Sequence, residues 1–164
     1  MLNLSYDHLS LIRFLVGIGF LGYAAYSDLK TRTVENSVWL GLGICAFVIL
    51  GVQLFIEEVP SFYWLTLFPP AVFFFDALIE RAEEVDEKMK IPIVVLYIAC
   101  ILILLYFIFK VEKTYLLIQL LTISGIILFS YLLYILRVFH GGADAKAFMS
   151  IGILAPTYPI FHHF

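Results

Sequence analysis

The sequence predicts an all-α bundle of about six transmembrane helices in a single domain over residues 1–164, and three observations carry that expectation. Hydrophobic residues make up 63% of the 164 and charged residues only 14%, where an ordinary soluble chain carries roughly 45–50% and about 25%. The apolar residues fall into separate runs close to the length that crosses a bilayer. None of these runs shows the strict apolar–polar alternation of a membrane barrel, so each must satisfy its backbone amides and carbonyls within itself, as a helix.

Taken in order, the runs are Leu9–Ser27, Val38–Ile56, Phe62–Ile79, Ile91–Phe109, Tyr115–Leu136 and Ala147–Phe161. The first follows Asp7 and His8 rather than a basic segment, and no small-residue cleavage site succeeds it, so it reads as a retained helix and not a signal peptide. Pro69-Pro70 lies within the third run and predicts a kink, because proline removes a donor and crowds the preceding turn. The fourth is preceded by the polar segment Glu80–Lys90, whose Glu84/Lys88 and Asp86/Lys90 pairs have helical i,i+4 spacing. The last run is shorter than the roughly 20 residues a span requires.

Lysine and arginine are distributed unevenly between alternate connections. Lys30, Arg32, Arg81, Lys88, Lys90, Arg137 and Lys146, seven of the ten, fall on one side, and Arg13, Lys110 and Lys113 on the other. The positive-inside rule makes the richer side cytoplasmic and the amino terminus external. A formal net charge of −3 gives no reason to expect nucleic acid as a partner. Cys45 and Cys100 sit singly in apolar runs, which suits small packed side chains and no disulfide framework. The histidines are split between the two faces, so no metal site is expected.

Ionisable groups are costly at membrane depth and tend to be functional or paired there, which singles out Asp28, Asp76 and Asp144. Asp28 ends the first run in YSDLKTRTVEN, and Asp144 opens the sixth in HGGADAKAF. The first and fifth helices run the same way across the bilayer, so both segments reach the same face and the two carboxylates can meet. Carboxyl groups sharing one site hold one proton between them, because like charges at contact distance cannot both ionise cheaply. Such a pair hydrolyses an amide: one member takes a proton from the attacking water while the other donates to the carbonyl oxygen or departing nitrogen. Each aspartate also has a plainer role. Asp28 suits a solvated helix end beside Lys30 and Arg32, Asp144 an N-cap after Gly141-Gly142, and Asp76 a partner for Arg81 or the lining of a polar cavity.

The segment YSDLKTRTVEN resembles the first-aspartate motif of type IV prepilin peptidases and archaeal preflagellin peptidases, an Asp, a basic stretch, then aliphatic-Pro-Asn. HGGADAKAF is similar to their second motif, Gly-x-Gly-Asp with a Lys two positions beyond. Glu35 stands where that pattern has Pro, and Ala143 where many members have Gly. The resemblance implies that Asp28 and Asp144 form a catalytic dyad and that Gly141 and Gly142 let backbone approach it. Lys30, Arg32, Asn36 and Lys146 would fill motif positions, with Asp76 as an accessory acid. It further implies a cofactor-free endopeptidase in the cell membrane, cutting the short basic leader from prepilin-like or archaellin precursors at the cytoplasmic face. Methyltransferase activity is not expected, because the cysteine-rich segment of the bacterial relatives that carry it has no counterpart here. Two other readings of the same acids are a small ion- or proton-coupled transporter or channel and an inactive pilus-assembly relative.

Overall fold

A computed structural model describes residues 6–78, 87–110, 115–139 and 142–155. Its elements are α1 (Tyr6–Thr31), α2 (Asn36–Ile56), a 3-10 helix (Ser61–Leu67) that leads into α3 (Phe68–Leu78), α4 (Glu87–Lys110), α5 (Tyr115–Ile135) and α6 (Gly142–Leu154), with no strand among the described residues. Five stretches, from α1, α2, the 3-10 helix with α3, α4 and α5, are long and apolar enough to cross a membrane. Large apolar side chains face outward along them, including Phe14, Val95, Leu102, Phe109 and Ile135. Exposed apolar surface on this scale is sustained by lipid and not by water. The chain is an all-α, multi-pass membrane protein.

The sixth helix departs from its expected bounds. It starts at Gly142 rather than Ala147 and spans 13 residues, about 20 Å at 1.5 Å per residue and short of a bilayer's hydrocarbon core. It starts earlier because Asp144 falls in the first turn, where a carboxylate complements the exposed amides and the positive end of the helix dipole. Although short, α6 is central. It packs on α1, α2, α3 and α5, and Ala145, Met149, Ile153 and Leu154 are buried. A Cβ placed on Gly152 would lie 2.5 Å from Ile126 of α5, so the absent side chain is what lets the two backbones approach.

Pro69 and Pro70 fall in the first turn of α3 instead of bending a continuous helix. At that position the missing N–H has no intrahelical acceptor to lose, so the irregularity is taken up by the change from 3-10 to α winding at Phe68. The expected i,i+4 pairs of the Glu80–Lys90 segment involve residues outside those described.

Three helices end on non-glycine residues in the left-handed region: Arg32 (φ 54°), Glu58 (φ 50°) and Arg137 (φ 57°). After α2, Glu58 N–H reaches Phe55 O and Val59 N–H reaches Leu54 O. After α5, Arg137 N–H and Val138 N–H repeat the pattern on Tyr134 O and Leu133 O. These are Schellman terminations in which a charged residue takes the place glycine usually fills. The left-handed geometry costs roughly 1–2 kcal/mol per residue.

Candidate functional site

The segment bearing Asp28 is held by its own backbone and hydroxyls. α1 continues one turn past the expected end at Ser27, and Arg32 N–H closes it on the Asp28 carbonyl at 2.8 Å. Around that turn the Ser27 hydroxyl donates to the Thr33 carbonyl (2.9 Å). The Thr31 hydroxyl donates to the Ser27 carbonyl (2.8 Å), with the Thr33 carbonyl also in reach at 3.0 Å. Thr33 Oγ1 in turn donates to Thr31 Oγ1 (3.1 Å). Such short-range bonds give the backbone a defined path where helix bonding runs out. Ser27, Thr31 and Thr33 thus brace the Asp28 segment, a role that was open to reading from three hydroxyl residues closely spaced around one acid.

The two motifs meet through residues other than their aspartates. Lys146 Nζ donates to Asn36 Oδ1 at 2.6 Å across 110 positions of sequence. Asn36 is the first residue of α2, and Lys146 is buried in α6 with 9% of its surface exposed. A charge-assisted bond of this length is among the stronger kinds, and it fixes the start of α6 against the start of α2. One turn further along α6, the Ser150 hydroxyl donates to the Lys146 carbonyl at 2.8 Å.

Asp28 and Asp144 are both exposed side chains. Asp144 precedes Lys146 by two positions, which on a helix turns it well away from the lysine's face. It occupies the first turn of α6 rather than the N-cap expected of it. Lys30 and Arg32 are exposed on the turn after Asp28. Gly142 begins α6 and is partly buried, while Gly141 lies outside the described residues. The arrangement thus joins α1, α2 and α6 at one end of the bundle, with a buried cation inside and two carboxylates on its surface.

Asp76 is half-buried in α3 and accepts a hydrogen bond from the Tyr97 hydroxyl of α4. Tyr97 also stacks on Phe73, with ring centroids 5.5 Å apart. The partner expected from sequence, Arg81, lies outside the described residues. One group that sequence reasoning passed over is Trp39, one turn beyond Asn36. Its side chain is 3% exposed, and its indole Nε1 has no hydrogen-bond partner among the described residues. A buried donor left unmatched is uncommon enough to warrant a functional test. Set against family models, curated proteins and solved structures, the chain matches none of them.

Proposed function

We propose that the protein is a membrane aspartyl endopeptidase that removes the short basic leader of prepilin-like or archaellin precursors at the cytoplasmic face, with Asp28 and Asp144 as its acids. The observation that carries this reading is the Lys146–Asn36 hydrogen bond, which ties the segment after Asp28 to the helix that bears Asp144. It favours one locus for both motifs, as a dyad requires.

In this mechanism the resting acids are open to water and are brought together on substrate. Closure to contact leaves one proton between them. The ionised carboxylate takes a proton from water as the water oxygen adds to the scissile carbonyl carbon, and the other acid donates to the oxygen that gains charge. Collapse then breaks the C–N bond, and the departing nitrogen takes a proton from the dyad. Lys146 keeps α6 seated on α2 during these steps, a positioning role. The richer distribution of Lys and Arg on the Asp28 side supports the cytoplasmic assignment of this end.

The direct test is cleavage of a precursor with a basic leader by the purified protein in liposomes. Asp28→Asn and Asp144→Asn are each expected to lower it by about 10²-fold or more while leaving the protein folded. Turnover near the wild-type rate by either single variant would remove the dyad. The competing reading, an ion- or proton-coupled transporter, is motivated by Asp76 within a spanning segment. Liposome flux that Asp76→Asn stops, with no peptide cleaved, would establish that reading instead.

A further inference from the structure

The fold treats its two tryptophans differently. Trp64, in the 3-10 helix, is 38% exposed and donates its indole N–H to the Val59 carbonyl at 3.4 Å. Trp39 is buried on α2, and its N–H meets no acceptor among the described residues. A buried donor without a partner works against folding, and phenylalanine would bury an aromatic ring at the same position without that penalty.

Ser124 Oγ on α5 is also buried without a partner among the described residues, but a serine has a local remedy. Its hydroxyl can turn to the carbonyl four residues back, as Ser130 does toward Ile126 O (2.6 Å) and Ser150 toward Lys146 O (2.8 Å). Tryptophan has none. The indole is a donor only, it is carried at the far side of a packed ring, and the carbonyls of its own helix are already used by the helix. The acceptor for Trp39 therefore comes from outside α2.

Its place says from where. Trp39 follows Asn36 by three positions, which makes the two neighbours on α2, about 4.5 Å apart along the axis. Thr33 and Glu35 are exposed, Asn36 is half-buried and Trp39 is buried, so the indole lies one turn in from the surface where the two motifs meet. At that junction the Lys146 ammonium donates to Asn36 Oδ1. The ammonium and the indole N–H are both donors, and what the junction calls for is a further acceptor. A peptide in extended conformation brings a carbonyl oxygen at every residue, unspent on any helix of its own.

We infer that Trp39 is a peptide-binding residue whose indole N–H takes a backbone carbonyl oxygen of the bound chain, next to the scissile bond on its deeper side. The inference rests on the peptidase reading, which brings a peptide to this end of the bundle, and it adds a residue that lies outside both aspartate motifs. In the mechanism above, the oxygen that gains charge is served by the protonated acid. Trp39 therefore holds a carbonyl whose charge stays constant through the reaction, which contributes to binding and not to the chemical step.

The test uses the full chain in nanodiscs, with Asp28→Asn to block turnover and Trp64→Phe to leave one isotopically labelled indole. The precursor that serves in the cleavage assay is titrated in, and its binding is followed separately by fluorescence anisotropy. The indole proton is expected to move downfield in step with occupancy. In the cleaving chain, Trp39→Phe and Trp39→benzothienylalanine, the second keeping the ring's shape and losing only the N–H, are each expected to raise KM by about fivefold, as for one neutral hydrogen bond, with kcat unchanged. An indole signal that stays in place while the precursor binds, a KM unchanged in both variants, or a water cross-peak to the indole that persists at saturation would overturn the assignment. Cleavage by the wild-type chain without an indole shift would sink the role of Trp39 and spare the peptidase. A shift on binding to a chain whose wild type cleaves nothing would do the reverse, and a chain that neither binds nor cleaves the precursor would overturn both.

Discussion

At the end of the α1–α2 hairpin far from Asp28, the Arg13 guanidinium donates to Gln53 Oε1, and Gln53 Nε2 donates to Glu57 Oε1 at 2.6 Å. Cation, amide and carboxylate follow one another in a chain, and Gln53 is buried, 3% exposed. At the opposite end the Lys146–Asn36 hydrogen bond joins α6 to α2, while the acids Asp28 and Asp144 stay at the surface. The first end matches its buried polar atoms to one another, which is what a structural clasp requires. The second matches a buried cation to a neutral amide and keeps its carboxylates open to water. The two polar ends of the same pair of helices thus differ in what they enclose and what they leave open to water.

That comparison breaks most sharply at the acids. Asp28→Asn or Asp144→Asn is expected to lower precursor cleavage by about 10²–10⁴-fold, the usual contribution of positioned acid–base groups, with thermal unfolding in detergent unchanged for the exposed Asp28 and only slightly lowered for Asp144, whose charge complements the first turn of α6. An equal loss from an Asp76→Asn variant would show that the chemistry is not confined to the α1–α2–α6 end. Next in size is Lys146→Met, which removes a charged hydrogen bond generally contributing about 1.5–3 kcal/mol. It should lower both unfolding temperature and turnover, and Lys146→Arg should recover part of each if the lysine works by seating α6.

At the clasp end, Gln53→Leu should destabilise by about 0.6 kcal/mol and at most about 1.7, the average and the largest value for interhelical hydrogen bonds in a membrane, without a change in cleavage once the protein is folded. A lowered turnover number in the folded variant would erase the distinction between the two ends. The smallest effect is expected from Trp39→Phe, which deletes an unmatched buried donor and so should be neutral or slightly favourable for stability. A drop in cleavage without a drop in stability would assign that N–H to substrate.

The residues of the two motifs were legible because each is read locally: an acid at the edge of an apolar run stands out in a chain this poor in charge. What joins them was not. Asn36 and Lys146 were singled out as motif positions, yet their bond depends on α6 entering among α1, α2, α3 and α5, and nothing in either nine- to eleven-residue segment encodes that packing. The same holds for Arg32, Glu58 and Arg137 as helix terminators. Glycine or asparagine would signal a left-handed cap from sequence, whereas a charged residue takes that conformation only where the surrounding bonds impose it. Sixth-helix bounds drifted for a related reason: an apolar run was sought, but a helix packed on its neighbours along one side can begin with Gly-Ala-Asp-Ala-Lys.

By itself the sequence determined the solvent and the fold class, since hydropathy adds up residue by residue and leaves an apolar chain with helices as its only way to bond its backbone in lipid. It also singled out Asp28, Asp76 and Asp144 as acids in or beside apolar runs. Tertiary structure alone decided that Lys146 meets Asn36, that Gln53 closes a clasp with Arg13 and Glu57, and that Gly17 faces Leu154. Each of those outcomes depends on how one helix is rotated and seated against another, and that is set by side-chain volumes summed over the whole interface rather than by any residue's own preference.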